Sequence, residues 1–312
     1  MEKEFFDYII IGAGSAGLAS AQYATRSGLK TLIIDVSVPG GQALEIPELE
    51  NYPGIFPAIN GIDFISIMQN QAQSFGAKII QAEVNSIDKV NNKFIVHTKN
   101  VEYSSFCLLI ATGAEHKKLG ISGEKEFYGR GVSYCAVCDG PFFRNKNVVV
   151  VGGGDSSLNE AIYLSSIAKK VTIIHRRDKF RAAYSTVQRV LQKENIEIVY
   201  DAIVKEIVGS EVVSSVVVEN VKTNNISNIQ TDAVFIFVGM TPKTDLVSTI
   251  EKDNAGYIIT DDRMQTNVKG LFCAGDVRAK PLRQIVTAVS DGAIAAHSAE
   301  EYIQKITENA GA

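Results

Sequence analysis

Phe6-Asp-Tyr-Ile-Ile-Ile-Gly12-Ala-Gly14-Ser-Ala-Gly17 is the stretch that decides the fold. A short apolar run, with no room for a helix, leads straight into a glycine turn. A helical pattern follows from about Ser15 to Ser27, Gly28 stands where a helix ends, and a second apolar run, Thr31-Leu-Ile-Ile-Asp35, comes next. This order of strand, glycine turn, helix and strand gives G-x-G-x-x-G its meaning as a dinucleotide-binding unit. Gly12 makes the tight turn, Gly14 lets a pyrophosphate approach the backbone, and Gly17 lets helix and strand pack closely. Ser15 and Ala16 open the helix, whose unpaired N–H groups and dipole face the phosphates. Asp35, 23 positions after Gly12, is spaced to accept hydrogen bonds from ribose hydroxyls. The competing reading is a glycine turn without a ligand.

The pattern returns at Val148-Val-Val-Val151-Gly152-Gly-Gly154-Asp155-Ser156-Ser157. A helical stretch through Ala168 leads to Val171-Thr-Ile-Ile-His175-Arg176-Arg177, and His175 again stands 23 positions after the first glycine of the turn. An acidic residue there would repel a 2′-phosphate, whereas His175, Arg176, Arg177 and Arg181 offer several cationic donors to one. The first site therefore suits a nucleotide with free ribose hydroxyls, such as FAD, and the second suits NADPH. A solvated charge run is the bland alternative for the arginines. Ser157 replaces the third glycine, which predicts slightly looser helix packing.

Working outward, Asp35 is followed by a loop from Pro39-Gly-Gly-Gln42 to Pro57, then by a helix from about Asp63 to Phe75 ended by Gly76. Short alternating stretches, including Lys93-Phe-Ile-Val-His97 and Cys107-Leu-Leu-Ile110, read as a β-meander. A linker is expected near Ala114 to Leu119 and a return linker at Met240-Thr-Pro242-Lys. Gly270-Leu-Phe-Cys-Ala-Gly275-Asp276 reads as a strand ending on an acidic residue, and a final helix is expected with a break near Gly292. The expected architecture is α/β, with two Rossmann-like dinucleotide-binding domains, the second inserted in the first, and β-meanders. The FAD-binding domain takes 1–115 and 243–312, and the NADPH-binding domain takes 116–242. Two linkers would let the lobes move relative to each other.

Composition agrees with this reading. A length of 312 residues favours two domains, and 46% hydrophobic with 21% charged residues excludes disordered and fibrous classes. A net charge of −4 gives no field to recruit nucleic acid or an acidic membrane, and no apolar run reaches the ~18 residues of a membrane span. The apolar start carries two Glu against one Lys and is interrupted by glycines, so it is not read as a signal peptide, and the expected location is cytoplasmic. Four cysteines in a chain this long do not make a disulfide scaffold.

Cys135-Ala-Val-Cys138 is the sharpest catalytic signal. Two thiols at this spacing can close a small disulfide and store two electrons, matching a hydride delivered through a flavin. Zinc would need four ligands, and Cys107 and Cys273 are isolated inside apolar runs, where they read as core residues; no metal site is expected. Asp139 is a candidate general acid, since a carboxyl in a low-dielectric site can hold its proton to higher pH; the alternative is a turn residue before Gly140-Pro141.

With these residues in place, the chain resembles the low-molecular-weight, NADPH-dependent thioredoxin reductases over essentially its whole length. The matching segments include Gly40-Gly41-Gln42, Glu50-Asn51-Tyr-Pro53-Gly54, Ala111-Thr112-Gly113, Cys135-Ala-Val-Cys138-Asp139-Gly, His175-Arg-Arg177-Asp-Lys-Phe-Arg181-Ala, and Gly275-Asp276-Val-Arg278 with Leu282-Arg283-Gln284. The resemblance implies a homodimer and hydride flow from NADPH to FAD, to the Cys135–Cys138 disulfide, and on to thioredoxin. It implies that Cys138 lies against the flavin, that Cys135 attacks thioredoxin, and that Asp139 protonates the leaving thiolate. Implied FAD contacts are the first glycine loop, Asp35, Gly41, Gln42, Asn51 and Val84. Ala111, Thr112 and Gly113 join them, as do Gly275, Asp276, Arg283, Gln284 and Ile285. Implied NADPH contacts are Gly152, Gly154, Asp155, Ser156, Ser157 and Glu160, with His175, Arg176, Arg177 and Arg181.

Three departures from the family pattern stand out. Asp35 replaces the commoner Glu, Ser157-Leu-Asn replaces Ala-Val-Glu, and Ala43-Leu-Glu-Ile-Pro-Glu-Leu49 replaces a Thr-rich stretch near the flavin. The alternatives to thioredoxin reduction are a relative serving another disulfide acceptor and a dithiol oxidase returning electrons to oxygen. A ferredoxin-dependent relative would lack the arginine cluster. A flavin-free redox sensor or zinc-stabilised scaffold would be colourless.

Overall fold

Apolar runs too short to be helices but too continuous to be half-exposed strands belong in sheets covered on both faces. That is where the structure, a computed structural model describing residues 2–46, 49 and 51–310, puts them. Pro47 and Glu48 of the 43–49 segment, and Glu50 of the Glu50–Gly54 motif, lie outside the described residues. The helices in chain order are α1 (Ser15–Arg26), α2 (Gly61–Ser74), α3 (Ala136–Asp139), α4 (Asp155–Ser165), α5 (Tyr184–Leu191) and α6 (Ile285–Ala310). The chain divides into two compact units, Met1–Glu115 with Thr241–Ala312, and His116–Met240.

The first unit is built on a seven-stranded sheet in the order Lys78–Gln81, Thr31–Asp35, Glu2–Ile11, Val101–Ile110, Lys93–Thr98, Val84–Val90, with Leu271–Cys273 also paired to Val101–Ile110. Strand Glu2–Ile11 is central, with Ile9 in register with Leu32 on one side and Leu108 on the other, both parallel. Successive residues serve opposite faces. Tyr8 and Ile10 join Leu18, Phe272 and Ala299 beneath the helices, while Ile9 and Ile11 join Phe94, Ile258 and Val277 on the other side.

Some sequence expectations change here. Cys107–Ile110 is not a separate meander strand. It is the second half of Val101–Ile110, whose first half pairs antiparallel with Lys93–Thr98 while the second half takes Leu271–Cys273 in parallel. The final helix is also unbroken through Gly292. A Cβ at Gly292 would stand 2.1 Å from the Ala16 carbonyl oxygen, so the glycine is there to let α6 approach α1. The loop after Pro39 likewise contains a 3₁₀ turn, Gly41–Glu45.

The second unit repeats the plan with a five-stranded parallel sheet: Ile196–Val199, Lys170–Ile174, Asn147–Gly152, Ala233–Phe237, Val132–Ser133. A three-stranded antiparallel sheet of Ala202–Gly209, Val213–Asn220 and Ile226–Gln230 accompanies it. Helix α4 ends at Ser165, short of the expected Ala168.

Candidate active site

The dithiol sits where an edge strand of the second unit gives out. Ser133 ends Val132–Ser133, in register with Phe235, and the chain turns at once into α3, with Cys135 as its N-cap. Cys135 and Cys138 form a disulfide, and the Cys138 N–H donates to the Cys135 Sγ at 3.2 Å. Ser133 is buried, and its hydroxyl accepts the Cys135 N–H at 3.0 Å. Burial pushes the Asp139 carboxyl above the usual range, and an interaction with the Ser133 hydroxyl partly opposes this. Cys107 and Cys273 belong to the other unit, where both are buried and carry thiols pushed up by that burial.

In the first unit, Gly12 has φ +106°, and a Cβ there would stand 2.3 Å from the Ala111 carbonyl oxygen. Only glycine lets these two segments meet, and the Ala111 N–H donates to the Ile11 carbonyl at 2.8 Å. Gly40 N–H donates to the Ala13 carbonyl at 2.9 Å, which sets Gly41 and Gln42 beside Gly14. No side chain caps α1, and Gly14 opens onto clear space. Asp35 accepts the Ala13 N–H at 2.6 Å and the Ser37 N–H at 2.9 Å. Asn51 donates to Gln284 at 3.1 Å, Gln42 to the Ala114 carbonyl, and Thr112 to the Lys243 carbonyl at 2.6 Å, beside Gly113. Gly275 and Asp276 form a 3₁₀ turn just before Ile285 starts α6, and Arg283 stacks over Tyr257 at 3.9 Å. Val84, half-buried, begins an outer strand of the same sheet.

In the second unit Gly154 is an uncapped N-cap that also opens onto clear space. His175 does not present a free donor as the sequence led us to expect. Its ring is buried, with Nδ1 3.1 Å from the Gly152 carbonyl oxygen and Nε2 2.9 Å from that of Lys179. The imidazole holds the glycine turn, and the solvent-facing cations are Arg176, Arg177 and Arg181. Asp155 is also engaged inside the protein, accepting from the Ala183 N–H at 2.9 Å and so tethering the segment that carries Arg181. Ser157 is fully buried and donates to the Gly154 carbonyl at 2.8 Å, so its hydroxyl is accommodated by a hydrogen bond. Glu160 keeps a buried Oε2 without a hydrogen-bond partner, and burial raises its pKa.

Comparison with known proteins joins these loops and the dithiol into one assignment. The family described as pyridine nucleotide-disulphide oxidoreductase matches residues 6–292. A thioredoxin reductase of Treponema pallidum (strain Nichols) is 50% identical over 306 residues, covering 98% of this chain and 99% of that protein. The chain belongs to the thioredoxin reductase family. A thioredoxin reductase of Listeria monocytogenes is 45% identical, covering 99% of this chain and 97% of its own. The crystal structure of thioredoxin reductase from Streptococcus pyogenes MGAS5005 superposes with a TM-score of 0.90 at 45% identity, covering 96% of this chain and 99% of that one. As a member of the family, the chain is an oxidoreductase with the two-domain α/β fold that the sequence predicts.

Against this thioredoxin reductase frame, sequence reading missed three supports of the site. Asp291, buried in α6, accepts the Gly275 N–H at 3.0 Å and pairs with Arg278 at 3.0 Å and Lys280 at 2.9 Å. A lone acid in the apolar run Ile285–Ala296 was the available signal. Gly153 is needed because a Cβ there would stand 2.1 Å from the His175 ring. Ser133 organises the Cys135 backbone, and nothing in its spacing marks it. Among the described residues, no group of three or more His, Cys, Asp or Glu side chains is arranged to hold a metal ion, and no helix is long and apolar enough to cross a membrane.

Proposed function

We propose that this chain reduces the disulfide of thioredoxin with NADPH, through FAD and the Cys135–Cys138 pair. The observation that carries the reading is a disulfide on the N-cap of a short turn, followed directly by a carboxyl that burial keeps protonated to higher pH. Relatives named thioredoxin reductase, aligned over nearly the whole chain, support the acceptor.

The residues present fit both nucleotides. For FAD, the first unit offers an uncapped α1 behind Gly14 and a buried Asp276 Oδ1 lacking a hydrogen-bond partner, as a ligand hydroxyl would require. Asp35, Gln42, Asn51, Thr112, Arg283 and Gln284 would complete that site. For NADPH, the second unit offers the Gly152–Ser157 turn, the unpartnered Glu160 Oε2 and the exposed Arg176, Arg177 and Arg181. When bound, the flavin supplies the two-electron chemistry that links a nicotinamide to a dithiol.

The chain's own residues do the rest. Two electrons break the Cys135–Cys138 bond and leave a dithiol. The Cys135 thiolate, held by the Cys138 N–H, attacks one sulfur of the thioredoxin disulfide; a mixed disulfide forms and the other sulfur leaves as a thiolate. Asp139 gives that thiolate its proton. Cys138, as thiolate, then attacks Cys135 Sγ, which restores the internal disulfide and releases the second thioredoxin sulfur. A homodimer and a cytoplasmic location belong to the same proposal, resting on the family resemblance.

The test is anaerobic NADPH oxidation by the purified protein with and without thioredoxin from the same organism. Turnover that requires thioredoxin supports donor, acceptor and direction together. Flavin reduction without turnover moves the acceptor to another disulfide. Cys138→Ser is expected to keep FAD and lose disulfide reduction; full turnover in that variant would remove the dithiol from the mechanism.

A further inference from the structure

The last helix carries charge where its neighbours are apolar. Asp291 lies among Val289, Ala295 and Ala296, with its carboxylate turned onto the segment that precedes the helix. There it takes the Gly275 N–H, Arg278 and Lys280. Lys280 is the unusual member, its side chain only 4% exposed. Lysine is rarely buried so deeply unless its ammonium is fully used. Nζ reaches Asp291 Oδ2 at 2.9 Å and Thr287 Oγ1 at 3.2 Å, and it stands 3.7 Å from Asp276 Oδ1. That Oδ1 is buried with no hydrogen-bond partner.

Asp291 does not need Lys280 for its own neutralisation, because Arg278 and the Gly275 N–H already satisfy both its oxygens. The ammonium is surplus to that pair and stands 3.7 Å from Asp276 Oδ1, a buried oxygen with no hydrogen-bond partner. Burial pushes the Asp276 carboxyl up, and of the charges facing it Lys280 and Arg283 favour the carboxylate while Asp291 opposes it, so the cations counter what burial does. Arg283 reaches the backbone carbonyls of Asp276 and Arg278, both at 3.4 Å, and is spread over Tyr257. Lys280 is thus the cation directed at the carboxylate itself.

We propose that Lys280, anchored by Asp291, is a positioning residue that keeps Asp276 ionised and aimed, so that its free Oδ1 accepts a hydrogen bond from a hydroxyl of the flavin cofactor. This rests on the reading of the first unit as the FAD site. A protonated Asp276 would offer a donor in place of an acceptor, and a swung carboxylate would miss its partner.

The experiment measures FAD release from the purified holoprotein, followed by flavin fluorescence at pH 8 and pH 6, together with thermal unfolding. Wild type is measured first: a chain that retains no FAD overturns the flavin reading itself and this inference with it. Lys280→Met is expected to release FAD roughly tenfold faster than wild type at pH 8, the scale of losing one hydrogen bond to a charged group, with a wider gap at pH 6. Its unfolding temperature should stay near that of wild type, because Asp291 keeps Arg278 and the Gly275 N–H. Unchanged release at both pH values overturns the proposal. Faster release that is equal at both pH values and tracks a fall in stability also overturns it, because Lys280 would then only support the fold. If Lys280→Met does not accumulate as folded protein, Lys280→Gln retains a polar head for Asp291 and Thr287 and is read by the same outcomes.

Discussion

The two glycine turns answer the same structural problem with opposite hydrogen-bond polarity. Both follow a buried strand, open an uncapped helix, and are fastened by the residue 23 positions after their first glycine. In the first unit that residue is Asp35, whose carboxylate accepts the Ala13 N–H. In the second it is His175, whose ring lies against the Gly152 carbonyl. A carboxylate fastener places negative charge beside the turn, which suits hydroxyls. An imidazole fastener places none and leaves the following arginines to meet an anion. The third position diverges too: Gly17 admits nothing larger, since a Cβ would stand 1.9 Å from the Gly12 carbonyl oxygen, whereas the second turn takes Ser157. Equivalence of two sites in sequence is therefore not equivalence of the side chains that touch a ligand.

That contrast can be broken most strongly at its tightest point. Gly17→Ala forces a methyl onto a backbone carbonyl and should cost about 3 kcal/mol, with loss of bound flavin; a normal melting temperature and full flavin content would show that the turn yields. The units also differ in chemistry, because only the second carries an acid beside a dithiol. Asp139→Asn should slow thioredoxin reduction about 100-fold and remove its alkaline limb. The sign follows from burial, which raises the folded-state pKa of Asp139. The acid works below that pKa and fails as pH rises through it, and the stability it contributes in its protonated form fades over the same interval. A wild-type profile that rises across this limb would exclude Asp139 as the proton donor.

Next in size, replacing Arg176, Arg177 and Arg181 by Gln should weaken NADPH by about 2 kcal/mol, roughly 30-fold, and leave NADH nearly untouched. Equal losses for both nucleotides, measured as KM, would return those arginines to the fold. The smallest effect belongs to Ser157→Ala, which removes a buried hydrogen bond but leaves the Gly154 carbonyl the Leu158 N–H, at 3.1 Å; about 1 kcal/mol of stability should be lost. A loss as large as that of Gly17→Ala would mean that the two turns are equally intolerant.

What the sequence made legible was what periodicity and short-range punctuation encode. The Phe6–Asp35 and Val148–His175 segments carry their strands, turns and helices openly, and Cys135–Cys138 announces itself by spacing. The failures arise where one residue type serves two physical ends. Glycine at 292 reads as a helix breaker, yet it serves close approach to Ala16. His175 reads as a cation for a phosphate, yet its ring is consumed by two carbonyls. The Asp276–Lys280–Asp291 cluster was not legible because it joins a loop to a helix across apolar sequence. Ser133 was missed because its hydroxyl acts on backbone atoms two residues away.

The nesting of one unit inside the other also sets an order of assembly on the ribosome. Once residue 240 has emerged, His116–Met240 has every strand and helix of its own sheet. The first unit, although begun earlier, still lacks Leu271–Cys273, the Gly275–Val277 turn and the whole of α6. Its half-built sheet waits with one edge of Leu108–Ile110 unpaired and α1 uncovered where Gly292 will later dock. The unit that starts first is thus completed last, and its nucleotide site closes only with the final stretch of synthesis.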